Sequence, residues 1–442
     1  MGRFDLLALS YSCMGLFTLM GSAIVLTGHG TWLAYLTAIV LGFFYILPTV
    51  FVSSTICCGS GMYSMVVSLL SPTAASLYCI SNMLDITMSL VAISFGSYIQ
   101  SLFPAVSYRL AGAVFLTIIY VINQLGLRNV SRSQNVMFTL LAGTLVIFIA
   151  SGLIHVDISP AFHFRESGFI PGGTTGFISC VVILYYISTS YVCAISYGKY
   201  SKRAYKDIPL AMFLSPLLLI VTFCLCAAIT GSIVPVGEAS EPITYAAKAL
   251  LPGVLFSIFI ICGPCMSMAA FINGSFAYYG VLLKGVCKDG WMPAFAGMEN
   301  RHGAPTAINT WYYLTGMIPL LVGFDISQTA NFINFVWAII SLIPCIAVYN
   351  LPKRYPKSWE QSHMHISNGL YYLVCTVRLV VNIVIAVLSS INLGITAVCI
   401  STGVFLLLVV YVLTRAKQSD HELYTHLDAW PLCDDDRQPQ VN

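Results

Sequence analysis

Between Asp5 and Asp85 this sequence contains no Lys, Arg, Asp or Glu, so 79 consecutive residues carry no fixed charge. A water-exposed chain cannot cover its surface that way. Soluble domains carry roughly 25% charged residues, whereas this 442-residue chain is 8% charged and 58% hydrophobic. A membrane-crossing helix needs about 20 apolar residues, so the run holds two or three spans. In hydrocarbon the backbone must satisfy its own hydrogen bonds, and apolar runs this long do so as helices and not as barrel strands. The first segment reads as a span and not as a cleaved signal peptide: its apolar run continues past a short h-region without a clear small-residue cleavage site. The expected class is an all-α polytopic membrane protein.

Continuing the reading predicts about twelve transmembrane helices, near 5–28, 31–52, 73–100, 108–124, 135–155, 174–197, 208–233, 252–283, 307–323, 328–349, 367–390 and 393–414. With the N-terminus inside, sixteen of the twenty Lys and Arg fall in cytoplasmic loops and tails and three outside, while Arg378 lies within span 11. This asymmetry supports a multi-pass protein of the cytoplasmic (plasma) membrane with both termini in the cytoplasm. The polar tail, 415–442, carries an acidic "CDDD" run, 433–436, that reads as part of a solvated, disordered end.

Spans 1 and 6 are five helices apart and cross in opposite directions. Spans 1–5 and 6–10 therefore suit an inverted repeat, about 1–155 and 174–350, in which helices 1 and 6 are broken near the bilayer midplane. Residues 1–350 would then be a transport core, 351–414 two added spans, and 415–442 a cytoplasmic tail. Span 1 has weak points at Gly15 and Gly21. Span 6 has "YISTSYVC", with Ser188, Thr189 and Ser190 in succession. From the residues alone, those hydroxyls suit an intact helix in which they bond back to the preceding turn.

The loop after span 8 reads "KGVCKDGWMPAFAGMENRHGAPTAIN". Lys288, Asp289, Gly290, Pro293, Arg301, Gly303 and Pro305 give a pattern that resembles the cytoplasmic loop of amino acid permeases in the amino acid–polyamine–organocation (APC) superfamily. "GRFDLLALSYSCMG", "GSGMYSMVVSLLSP" and "SKRAYKDIPLAM" are similar to that family's span 1 entry, span 2 loop and span 7 entry. The likeness covers about residues 3–350. It departs from the family at both signatures. Only Gly15 survives of the glycine signature in span 1. Ser190 and Val192 stand where span 6 has its glycine and glutamate, and the lysine that some members carry in span 5 is missing near Leu141 or Ala142.

The resemblance implies a secondary active transporter that moves an amino acid or related amine by alternating access. A broken helix offers amide N–H groups to a carboxylate and carbonyls to an ammonium without burying an ionised side chain. On that reading the segment Met14, Gly15, Leu16 and Phe17 takes the carboxylate. The segment Tyr186, Ile187, Ser188, Thr189, Ser190 and Tyr191 takes the amine, with Tyr186, Tyr191 and Phe17 as walls suited to a neutral substrate. Asp85 is the one acid deep in a span, and intramembrane carboxylates are costly. It reads as a proton carrier, a partner for substrate or another helix, or a buried structural acid. Asn273 reads as part of a cation site beside span 1 or as an interhelical hydrogen-bonding residue. Arg378 reads as a structural partner or as a side chain reaching an interface.

No catalytic constellation, cofactor motif or nucleic-acid signature emerges, so the chain does not read as an enzyme. "CGPC" at Cys262–Cys265 has thioredoxin-like spacing, but it lies within span 8, where Pro264 reads as a kink. The histidines lack ligand spacing for a metal. The expected partners are a small-molecule substrate, the lipid bilayer and a co-transported proton or sodium ion. A non-transporting ligand sensor on the same fold is the rival reading.

Overall fold

The computed structural model describes residues 2–12, 15–164, 168–235, 242–324, 326–418 and 429–436. Among the described residues nine continuous helical stretches are long and apolar enough to cross a membrane. The first, Phe17–Thr55, joins the second half of span 1 to span 2, and the other eight carry spans 3, 5, 6, 7, 8, 10, 11 and 12. Spans 4 and 9 are shorter helices, Tyr108–Gln124 and Thr306–Val322. Large apolar side chains such as Ile118, Val146, Val221, Ile391 and Leu407 are exposed. On a chain with so few charges, such faces belong in lipid, which solvates them as the core does.

Among the described residues spans 1, 3, 6 and 8 depart most from regular α-helix, and span 10 is interrupted at Ser341 between Ile326–Ile340 and Leu342–Ala347. Span 1 is helical over Arg3–Ser12, non-helical at Gly15 (φ −72°, ψ 47°), then a 3-10 turn Leu16–Leu19 and helix Met20–Thr27. Span 3 runs as Pro72–Ser81, a 3-10 turn Asn82–Leu84, an extended Asp85 (φ −70°, ψ 123°) and helix Thr87–Leu102. The sequence reading did not foresee that interruption. Span 6 is α-helical over Gly173–Tyr185 and then winds as a 3-10 helix over Ile187–Tyr200. Span 8 carries a π-helical turn, Ile261–Cys265, between Gly253–Ile260 and Met266–Lys288. Pro264 sits within it, and its missing N–H and ring bulk displace the helical ladder.

Span 2 packs on span 7, and span 1 packs on spans 5 and 7. Span 6 packs on span 2, span 3 on spans 4, 9 and 10, and span 8 on span 5. Span 11, Asn368–Leu393, closes against spans 2 and 10.

The structure corrects the reading of the tail. Strand β1, Ile56–Cys58, follows span 2 and pairs antiparallel with β2, Ala429–Pro431. The Leu432 N–H extends the ladder by donating to Thr55 O at 2.9 Å. Lys357 Nζ contacts Asp435, and the Ser358 N–H donates to Asp436 Oδ2. The acidic run is thus docked where the described part of the tail begins, because β1 is a strand edge with free backbone groups.

Candidate functional site

A small cavity lies between spans 2, 3, 6, 8, 10 and 11. Its walls are largely aromatic: Tyr45, Tyr78, Tyr186, Tyr278, Tyr279 and Trp337. Span 6 lines it where its winding changes, through Tyr186, Thr189 and Ser190.

The winding change has a visible cause. The Thr189 hydroxyl donates to Tyr186 O at 2.7 Å. That of Ser188 lies 2.7 Å from Tyr185 O and 3.0 Å from Ala38 O. Small hydroxyls that bond back three residues favour the tighter 3-10 turn. The Tyr186 N–H turns to a side chain instead, donating to Asn334 Oδ1 of span 10 at 3.2 Å. Span 6 therefore runs on past Ser190 as a change from α to 3-10 winding, where the family likeness implies a break.

The remaining expected site residues divide between the cavity wall and the packed interior. Tyr191 donates to Gly42 O of span 2 at 3.3 Å, and Ile187 is buried. Phe17 is buried with its ring 4.9 Å from that of Phe223 in span 7, and its carbonyl accepts from Tyr98 Oη at 3.1 Å. Leu16 begins the 3-10 turn of span 1. Gly15 is buried against Phe271, itself a cavity wall: a Cβ added at Gly15 would stand 3.4 Å from the Phe271 ring. Phe271 thus separates the span 1 interruption from the cavity. Met14 lies outside the described residues.

Asp85 is the hub of the polar side chains beside the cavity. Its Oδ1 accepts the Thr87 N–H at 2.7 Å and the Thr87 hydroxyl, an Asx-type turn that leads into the second half of span 3. Its Oδ2 accepts Tyr186 Oη of span 6 at 2.8 Å and Tyr279 Oη of span 8. The Tyr279 ring stacks on Tyr312 of span 9 at 4.1 Å. One carboxylate therefore joins three spans, and two of its partners are cavity walls.

Asn273 sits elsewhere, fully buried between spans 4, 5 and 8. Its Oδ1 accepts from Asn123 Nδ2 at 3.1 Å, and its Nδ2 donates to Gln134 Oε1 at 2.8 Å. It is the centre of an interhelical amide network. Arg378 is also fully buried and lines the cavity, so it does not reach an interface. Of the aromatic walls only Tyr186 was expected from the sequence; Tyr45, Tyr78, Tyr278, Tyr279 and Trp337 were not, since aromatic residues occur throughout the spans. Arg378 was visible as a lone cation but not as a cavity residue. Among the described residues no cluster of His, Cys, Asp or Glu could hold a metal ion.

A bundle of interrupted apolar helices around an aromatic-walled cavity defines a multi-pass membrane protein. The chain belongs to the amino acid permease family of the APC superfamily: the model of that family, described as amino acid permease, matches residues 1–415. A similar protein is the branched-chain amino acid permease BcaP of Bacillus subtilis (strain 168), 20% identical over 459 residues, covering 95% of this chain and 93% of that one. The fold and the family together make this an amino acid transporter.

Proposed function

We propose that the protein is a secondary active transporter that moves a neutral amino acid or related amine across the cytoplasmic membrane by alternating access, with both termini in the cytoplasm. The observation that carries this reading is the cavity at the winding change of span 6, bordered by Tyr186 and Ser190 and touching Asp85 through two tyrosine hydroxyls. The relative's name, a branched-chain amino acid permease, favours an apolar side chain among such aromatic walls.

The substrate amine meets the span 6 segment near Ser190, where Ser188 and Thr189 already occupy the preceding carbonyls. With Phe271 packed against Gly15, the amides of Gly15, Leu16 and Phe17 are closed to the cavity, and they would meet a carboxylate only in a second state in which Phe271 has turned aside. Asp85 carries the proton of a symport cycle, since its tyrosine donors tie its charge state to spans 6 and 8. Residues 1–350 form the core, as two inverted repeats. The packing supports this: shifting every span by five exchanges span 1 on span 7 with span 6 on span 2, and span 5 on span 8 with span 10 on span 3. Rocking of one group of spans against the other would open the cavity to each side in turn.

Uptake and exchange of labelled amino acids in proteoliposomes test the reading. Saturable flux of a neutral amino acid is expected. Binding without flux would overturn transport, and absence of binding by any amino acid or amine would overturn the substrate class.

A further inference from the structure

Arg378 projects from span 11 into the wall of the central cavity and is fully buried. A guanidinium held within a membrane protein is costly and normally pairs with an acid or reaches water. Among the described residues no carboxylate lies within 4.0 Å of it. Its oxygen partners are neutral: Nη1 donates to Thr49 Oγ1 at 2.7 Å and Nη2 approaches Tyr45 Oη at 3.5 Å. Its Cζ lies 4.5 Å from the centroid of the Tyr45 ring, a cation–π contact, with the Cys345 thiol beside it. Nε has no hydrogen-bond partner. Asp85 lies beyond Trp337: the Tyr45 and Trp337 rings are 5.0 Å apart, and those of Trp337 and Tyr186 5.5 Å. These three rings link the guanidinium to the carboxylate without an ion pair.

We infer that Arg378 is a substrate-binding residue that receives a carboxylate in the central cavity. The inference rests on the transport reading above and deepens it. Thr49 and Tyr45 hold the guanidinium, and its unused donors supply the planar fork that a carboxylate matches with two parallel hydrogen bonds. A bound carboxylate neutralises a buried charge that, among the described residues, has no acid beside it. The carboxylate comes from either of two sources: the α-carboxylate of any amino acid, or the side chain of an acidic one.

The test measures transport and ligand-induced thermal stabilisation with L-leucine, L-glutamate and isoamylamine, which is leucine without its carboxylate. Arg378→Gln is expected to weaken a carboxylate probe by on the order of 100-fold, with isoamylamine and the unliganded melting temperature little changed. Loss of leucine assigns the α-carboxylate, and loss confined to glutamate assigns the side chain. Unchanged binding of both acids, or an equal loss of isoamylamine, overturns the proposal. Arg378→Lys keeps the charge and should keep the preference for acid over amine; losing that preference counts against the role. If Arg378→Gln does not fold, Arg378→Lys decides by the same comparison of the acids with isoamylamine. Failure of all three probes with wild-type protein removes the amino acid reading and this role with it, a result distinct from binding that ignores the variant.

Discussion

Tyr186 Oη donates to Asp85 Oδ2 at 2.8 Å, tying the winding change of span 6 to the interruption of span 3. Protonating Asp85 would alter the acceptor that holds both. Asp85→Asn preserves the shape and an acceptor but cannot titrate. We expect exchange of substrate to continue in this variant while acceleration by an inward proton gradient disappears. Uptake assayed across external pH checks this, and an unchanged pH profile removes Asp85 from the proton path. Tyr186→Phe should cost about 1 kcal/mol of stability, as one hydrogen bond is lost.

Asn273 lies in a different network, so its replacement should separate stability from transport. Asn273→Ala removes the hydrogen bonds that Asn273 makes with Asn123 Nδ2 and Gln134 Oε1, while Asn123 Nδ2 keeps its bond to Ile119 O. Abandoned buried polar groups cost about 1–3 kcal/mol. A lower melting temperature in detergent is expected, with the half-saturating substrate concentration and sodium response unaltered. Loss of sodium dependence in that variant would instead point to a cation role.

Helix contacts between spans 3 and 4 depend on the absence of a side chain at Gly96. An added Cβ there would stand 2.0 Å from the Tyr108 carbonyl oxygen, a backbone atom that cannot swing away. Gly96→Ala should therefore destabilise by about 1–3 kcal/mol through overpacking. Gly143 in span 5 is the control: a Cβ there meets nothing within 4 Å, so Gly143→Ala should leave the melting temperature level or slightly raised.

The docked tail gives a fourth expectation. Tyr205 donates to Trp430 O at 3.0 Å, and Lys199 Nζ lies 5.7 Å from the Trp430 ring centroid. Burial pushes the Cys57 thiol of β1 up to about 11, so it should resist alkylation at pH 8. Deleting 429–442 should raise its alkylation rate several-fold, read by mass spectrometry. Asp435 beside Lys357 raises the pKa of that amine. Its stabilisation is fully present below the ordinary lysine range and disappears as pH rises through the raised value. The tail should therefore stay docked through neutral pH, and salt should loosen this exposed pair.

Much of the architecture was legible because the bilayer imposes a simple rule on composition. The charge-free run from Leu6 to Leu84 and the regular return of apolar stretches could only be satisfied by helices, and the loop from Lys288 to Pro305 marked the family. The interruption in span 1 at Gly15 and the special character of residues 186–190 could also be read, since glycine and clustered hydroxyls weaken a helix locally. Tertiary structure decided what those places do. Whether Ser188 bonds its own helix or span 2, whether Phe271 covers Gly15, and where the Tyr186 N–H goes all depend on neighbours distant in sequence. So do the three-span clasp on Asp85 and the entry of Arg378 into the cavity: a buried charge is a local fact of sequence, but its partners are set by how the helices pack. The tail paired with β1 for the same reason, since an edge strand accepts whatever backbone the fold brings beside it.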